Sequence, residues 1–229
     1  KTILISFRKE KVNMPDLKLL FNIGIGPSVQ YIFEVAAFAI AGFMAGWLGK
    51  ITFAAHGISL SIASFTYMFA SGISGASSIR VATFKGAGSA ENSKRAGLAG
   101  IGIAACIMTI FALCLIVFNH LLPTFFSQKT EVIKLSSGLL LVAALFQLFD
   151  GVQVTALGVL RGLSDVKIPA FVAMIAYWGM ALPAAYLLGF KLNMGVYGIW
   201  FGLCLGLMFA AIVLFARFHK LAKTAVLGH

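Results

Sequence analysis

Residues 134–160 read KLSSGLLLVAALFQLFDGVQVTALGVL. After Lys134 the run holds one charged side chain, Asp150, and it is long enough to cross a membrane. A spanning helix needs about 20 mostly apolar residues to pass a hydrocarbon core of roughly 30 Å. An ionised carboxylate at the bilayer midplane costs roughly 2.5–3.5 kcal/mol. Asp150 therefore calls for a compensating cation, a proton or a fixed positive partner. At 100° per residue, Gln147, Asp150 and Gln153 follow one another at steps of about 60°, so one stripe of this helix is polar around the carboxyl group.

Five more runs of this kind lie near 20–48, 55–79, 95–118, 168–188 and 196–216. The run at 20–48 contains the other mid-span acid, Glu34, which shares a face with Gln30 and Tyr31. The remaining five acids (Glu10, Asp16, Glu91, Glu131 and Asp165) fall near span ends or between spans. The chain is 60% hydrophobic and 11% charged, where a soluble domain has about 45–50% and about 25%. The fold class is an all-α membrane protein with six transmembrane helices. No Lys or Arg lies near the middle of a span, so a mobile cation is the leading counterpart for Glu34 and Asp150, and the chain reads as a transporter.

The net charge of +11 is not a nucleic-acid signature, because it is distributed by topology. Fourteen of the 18 Lys and Arg fall in the N-terminal segment, the 80–95 and 161–167 loops and the tail. Lys50, Lys129, Lys134 and Lys191 make up the other side. This is the positive-inside asymmetry. It gives a multi-pass cell-membrane protein, of the bacterial cytoplasmic membrane, with both termini cytoplasmic. The organisation is a basic cytoplasmic linker at 1–18, a six-helix lobe at 19–216 and a cytoplasmic tail at 217–229. The chain opens Lys1-Thr2-Ile3 rather than with Met, and the expectation is a piece of a longer protein. Cys106, Cys114 and Cys204 lie within spans and are odd in number, which argues for packing rather than a disulfide framework.

Several local features have a packing reading and a functional one. Pro27, with Gly24 and Gly26, can kink the first span ahead of Glu34. The second span is rich in Ser59, Ser61, Ser64, Thr66, Ser71, Ser74, Ser77 and Ser78, which suits close helix approach in lipid or the lining of a path. His56 opens that span and reads more readily as an interfacial group than as a proton carrier. Tyr177, Trp178, Tyr186, Tyr197 and Trp200 are assigned to interfacial aromatic belts.

The order of motifs resembles a known family. Ala54-Ala55-His56-Gly57-Ile58, Ile62-Ala63-Ser64, Gly72-Ile73, Arg80-Val81 and Gly86-Ala87-Gly88 resemble the second helix and following loop of a half of the multidrug and toxic compound extrusion (MATE) family. Asp150-Gly151-Val152-Gln153, Gly158-Val159-Leu160-Arg161-Gly162, Asp165 and Pro169 are similar to the fourth helix and its loop. Tyr177-Trp178, Leu182-Pro183, Gly195-Val196-Tyr197-Gly198-Ile199-Trp200 and Gly202 look like the last two helices. The resemblance runs from about Pro15 to Arg217. It implies one lobe of a twelve-helix transporter, the seventh through twelfth helices, of the norfloxacin-exporter branch, with an N-terminal six-helix lobe as its partner. It also implies a cation-coupling role for Glu34 and Asp150.

The function expected is secondary active multidrug efflux by antiport, exchanging Na⁺ or H⁺ for small amphipathic organic cations, with no cofactor beyond the transported ion. Glu34 and Asp150 form a candidate Na⁺ site, with Gln30, Tyr31, Gln147 and Gln153 as helpers. Oxygen donors suit a hard cation, and a desolvated carboxylate equally takes a proton. Some of the 21 Phe can supply an apolar wall for flat cations. Three other readings compete. A lipid-linked saccharide flippase of the same superfamily would place cationic groups in the cavity, and no span has one mid-way. An intramembrane enzyme using the two acids would need a nucleophile or metal set, and neither HExxH nor GxSxG occurs. Last, the acids may be read as permanently neutral groups hydrogen-bonded to glutamines across helices.

Overall fold

The computed structural model describes residues 13–227. The expected linker at 1–18 therefore lies mostly outside the described residues. The described residues include six helices long and apolar enough to cross a membrane: Gly24–Trp47, Lys50–Gly86, Ala90–Val117, Thr130–Gly162, Lys167–Lys191 and Gly195–Thr224. The described residues contain helices and connecting turns and no strand. Lipid leaves no other economical choice, since each backbone N–H and C=O must be satisfied within its own segment. The first helix begins at Met14, ahead of Pro15 in its opening turn, and the last runs on to Leu227. Pro27 is carried inside the first helix, which continues through it to Trp47.

The fourth helix is the axis of the bundle. It packs against the second, third and sixth helices, and 56% of its apolar window is buried, against 28% for the third helix. Small residues make this possible. Ser74 Oγ of the second helix donates to the carbonyl of Val154 at 2.6 Å, and Ser59 Oγ to that of Ser136 at 3.3 Å. Seven residues from the first of these contacts, the second helix still runs beside the fourth, with Val81 buried against Leu160. Of the hydroxyl residues of the second span, Ser59, Thr66, Ser74 and Ser77 are buried in the bundle, while Ser61, Ser64 and Ser71 are exposed, Ser64 on a cavity. Cys204 is buried, while Cys106 and Cys114 are exposed on the outside of the bundle. Large apolar side chains such as Phe21, Ile79 and Phe125 are also exposed, as a lipid-facing surface requires.

The fifth helix is irregular. It is α-helical over Lys167–Met174, widens to π geometry over Ile175–Ala181, and repeats that alternation over Leu182–Tyr186 and Leu187–Lys191. Pro183 accounts for the first widening, because its ring cannot donate to, and would clash with, the carbonyl four residues earlier. The short turns at Ser164 and Asn193 take positive φ, 63° and 55°. Near Ser164 the loop is fastened to the bundle. Lys85 Nζ donates to the Leu163 carbonyl at 2.6 Å, and Arg217 grips the Asp165 carboxylate with Nε and Nη2.

Candidate functional site

Glu34 is 6% exposed and Asp150 6%, and the second helix, packed against both the first and the fourth, brings the two to one cavity. Its volume is about 560 Å³. Along the first helix, Glu34, Phe38 and Gly42 face it, at the four-residue spacing that aligns side chains on one stripe. The second helix contributes His56, Leu60, Ala63 and Tyr67, and the fourth Phe146 and Asp150. Apart from the two acids and a few hydroxyl and imidazole groups, the wall is aromatic and aliphatic. No Lys or Arg lines it. Tyr67 lines the same cavity as the two carboxyl groups. Two acids converging inside an apolar bundle form a local attractor for positive charge.

Each expected helper has a definite position. Gln30 is buried one turn before Glu34 on the same helix. Tyr31 is 57% exposed and stands at the open side of the cavity. Gln147 and Gln153 are fully buried but are not part of the lining. Gln147 Nε2 donates to Thr66 Oγ1, and Thr66 passes its own proton to the Ala63 carbonyl at 2.7 Å. Gln153 Oε1 accepts from Tyr177 Oη at 3.1 Å. The other ends of both amides, Gln147 Oε1 and Gln153 Nε2, have no hydrogen-bond partner, and neither does Thr155 Oγ1. Buried polar atoms without partners are rare and mark places where a water, an ion or a rearrangement completes the network.

Two aromatic assignments made from the sequence need correction. Tyr177 is not an interfacial anchor. It is fully buried in the π segment of the fifth helix, where its hydroxyl donates to Gln153 Oε1. The π widening rotates Tyr177 relative to an α-helical register, which no heptad-like pattern in the sequence announces. Trp200 is likewise buried, 1% exposed, with its indole N–H on His56 Nδ1 at 3.1 Å. Trp178 and Tyr186 remain at the surface, and Trp178 Nε1 donates to the Phe33 carbonyl at 3.2 Å, tying the fifth helix to the turn that carries Glu34. His56 itself is 3% exposed rather than interfacial.

Among the described residues no group of three or more His, Cys, Asp and Glu is placed to hold a metal ion. A cation here would rest on two carboxylates supplemented by neutral oxygens. That donor set fits a hard monovalent ion or a proton and lacks the soft ligands of a transition metal.

Comparison with known proteins gives a consistent result. The family model described as MatE matches residues 28–187. A probable multidrug resistance protein NorM of Agrobacterium fabrum is 38% identical over 220 residues, covering 91% of this chain and 47% of the relative. Its counterpart in Rhizobium meliloti is 39% identical over 211 residues, covering 88% and 44%. The chain thus spans about half the length of the curated relatives it matches. Among solved structures, the eukaryotic MATE transporter AtDTX14 superposes with a TM-score of 0.85 at 24% identity, over 94% of this chain and 50% of that one. A MATE protein in its bent conformation gives 0.86 at 18% identity, over 96% and 49%. These likenesses establish the six-helix fold.

Proposed function

The chain belongs to the MatE family, and from that premise we propose that it is one six-helix lobe, the C-terminal one, of a secondary active exporter. The complete transporter moves amphipathic organic cations out of the cell in exchange for Na⁺ or H⁺. One observation carries this reading: Glu34 and Asp150 come from separate helices to a single cavity whose remaining wall is mostly apolar. Such a cavity attracts a positive charge and an aromatic body together.

The coupling follows from competition. With the acids ionised, the cavity favours a cationic drug. When Na⁺ or a proton occupies them, the local negative charge is cancelled and the drug's electrostatic contribution is lost. A ligand shifts a two-state equilibrium only by its differential affinity for the two states. Occupation of the acids changes the hydrogen bonding of Tyr177, Gln30 and Gln153, and through Trp178 the contact between the first and fifth helices. Those contacts are where the ion biases the inward-open and outward-open states. The membrane is the cell membrane, and both termini face the cytoplasm.

The second lobe supplies the facing wall, since alternating access needs two bundles that rock against each other. A lining without Lys or Arg supports organic cations over phosphate-bearing lipid-linked saccharides. The relatives named above are resistance proteins and transporters, which leaves the intramembrane enzyme without support.

The experiment is reconstitution of the complete transporter in proteoliposomes loaded with a fluorescent organic cation. An inward Na⁺ gradient or an inward proton gradient is imposed separately. Accelerated release of the dye under one of them is expected. Release that is indifferent to both gradients would overturn antiport.

A further inference from the structure

The seam between the third and sixth helices takes no part in the proposed mechanism. The two pack together where Gly97 meets Phe218: a Cβ at Gly97 would overlap the Phe218 ring and stand 2.8 Å from Val159 Cγ1 on the fourth helix. Val159 follows Asp150 by nine residues. Nine steps of about 100° put it on the opposite side of the fourth helix. The seam therefore lies across the bundle axis from the cavity, away from the face that the second lobe is expected to cover.

Each helix sends one file of residues to the lipid side of this contact. On the third, Ser93 turns toward the second helix, its Oγ donating to the Val81 carbonyl at 3.3 Å. Lys94 and Leu98 lie to the other side of Gly97, about 60° and 100° round. On the sixth, Arg217 turns toward the 163–166 turn, where Nη2 donates to Asp165 Oδ1 at 3.0 Å. Phe215 and His219 lie to the other side of Phe218, again about 60° and 100° round. The helices run in opposite directions, so the two files border one furrow. Lys94 and Leu98 are half-buried in it, Phe215 is 39% exposed, and His219 and Lys223 are exposed.

The furrow changes character along its length. With Gly97 and Phe218 level, the helical rise sets Lys94 about 4.5 Å nearer the cytoplasm, between His219 at about 1.5 Å and Lys223 at about 7.5 Å. Toward the outside the flanking surface is apolar, with Ile103 and Ile212 exposed. Basic groups thus begin on both helices at the height where the hydrocarbon-facing surface ends. The nearby acids do not neutralise them. Glu91 is paired with Arg95 at 3.0 Å, and Asp165 with Arg217. Lys94 and Lys223 have no acidic partner among the described residues.

We propose that this furrow is a binding site for one anionic phospholipid of the cytoplasmic leaflet. Lys94 and Lys223 hold the phosphate, and the His219 imidazole supplies an N–H donor. An acyl chain lies along Leu98 and Phe215. Basic pockets between transmembrane helices on the cytoplasmic side suit such headgroups. A choline headgroup carries its own ammonium beside the phosphate, so it gains less from two lysines than a glycerol headgroup does. The site depends on the fold and its orientation, and not on which ion or drug is carried.

The test uses the complete transporter, purified in detergent and titrated with equal amounts of phosphatidylglycerol and phosphatidylcholine bearing the same acyl chains. Native mass spectrometry reads which lipid is retained first. The unaltered protein is expected to prefer phosphatidylglycerol. Each lysine near an anionic lipid is worth about fivefold in affinity, so Lys94→Gln combined with Lys223→Gln should weaken phosphatidylglycerol by about 25-fold and phosphatidylcholine by less than about twofold. Lys167→Gln is the control. It removes an exposed charge at the start of the fifth helix and should change neither lipid. Glycerophosphoglycerol, the headgroup without chains, should not compete at the concentration of the lipid. No preference in the unaltered protein, an unchanged preference in the double variant, or an equal loss in Lys167→Gln would overturn the site. Competition by the free headgroup would show an anion site rather than a lipid site, and would overturn the proposal as well.

Discussion

Gly158 to Ala is the substitution whose consequence the packing defines most sharply. The second and fourth helices cross at Ser74 and Gly158. A Cβ at 158 would overlap Ser74 Oγ and stand 2.5 Å from the Ser74 carbonyl oxygen. The hydroxyl could rotate away, at the loss of its bond to the Val154 carbonyl; an interhelical bond in membranes is worth about 0.6 kcal/mol on average. The carbonyl cannot rotate away, because it belongs to the helix ladder. The helices must separate, and overpacking of this kind costs about 1–3 kcal/mol. Against this, Ala gains about 0.5–1 kcal/mol over Gly in helix propensity. The net expectation is a loss of about 1–3 kcal/mol. The control is Gly102→Ala on the third helix, where the added Cβ meets nothing within 4 Å, so only the propensity gain remains. The assay is the melting of detergent-purified complete transporter, followed by fluorescence-detected gel filtration. Gly158→Ala should melt well below Gly102→Ala. Adding Ser74→Ala should not rescue it, since the backbone oxygen stays. Equal melting of the two single variants, or full rescue by Ser74→Ala, would refute the packing argument.

Tyr177→Phe removes the buried hydroxyl that donates to Gln153, on the stripe of Asp150; efflux driven by a saturating gradient should fall severalfold while melting changes by less than about 1–2 kcal/mol, the cost of one buried hydrogen bond, and unchanged efflux would remove Tyr177 from the coupling network. Asp165→Asn weakens the partly buried grip of Arg217 on the 163–166 turn, with an expected loss of about 1–2 kcal/mol that shrinks in high salt; a salt-independent loss would point to packing instead. Single cysteines placed near Lys85 and Lys220 should be protected from an impermeant external reagent, and those near Lys50 and Lys129 should react, because the basic loops mark the cytoplasmic side; the reverse pattern would invert the topology.

The six spans were legible because lipid imposes a length and a composition that few other constraints can mimic. Glu34 and Asp150 stood out for the same reason: a carboxyl group in mid-span is costly enough that chance rarely leaves it there. That they line one cavity was a conjecture from depth alone, and the structure supplies the tertiary packing, of the first helix against the second and of the second against the fourth, that brings it about. The partners were less visible. Gln147 and Gln153 share the stripe of Asp150 but are committed to Thr66 and Tyr177 on other helices. A helical period gives direction around one axis and says nothing of which neighbour lies there. Tyr177 was mistaken for a belt residue because its place depends on the π segment. The available signal was Pro183, six residues on, which forces a local change of register. Trp200 and His56 were misplaced at the interface for a related reason. Each was judged by distance from its span end, while burial in a bundle depends on the side of the helix it occupies.

The central claim is that the two acids carry the coupling ion. Glu34→Gln and Asp150→Asn, made separately in the complete transporter, nearly keep the shape and hydrogen-bonding atoms of each acid but cannot exchange a proton near neutral pH and hold a cation poorly. Dye efflux from proteoliposomes is measured at matched protein levels under an imposed Na⁺ gradient and, separately, an imposed pH gradient. Both variants are expected to remain folded and to lose gradient-driven efflux, with the gradient to which the unaltered transporter responds identifying the ion. Near-normal efflux by both variants would contradict the account and leave Glu34 and Asp150 as neutral packing groups.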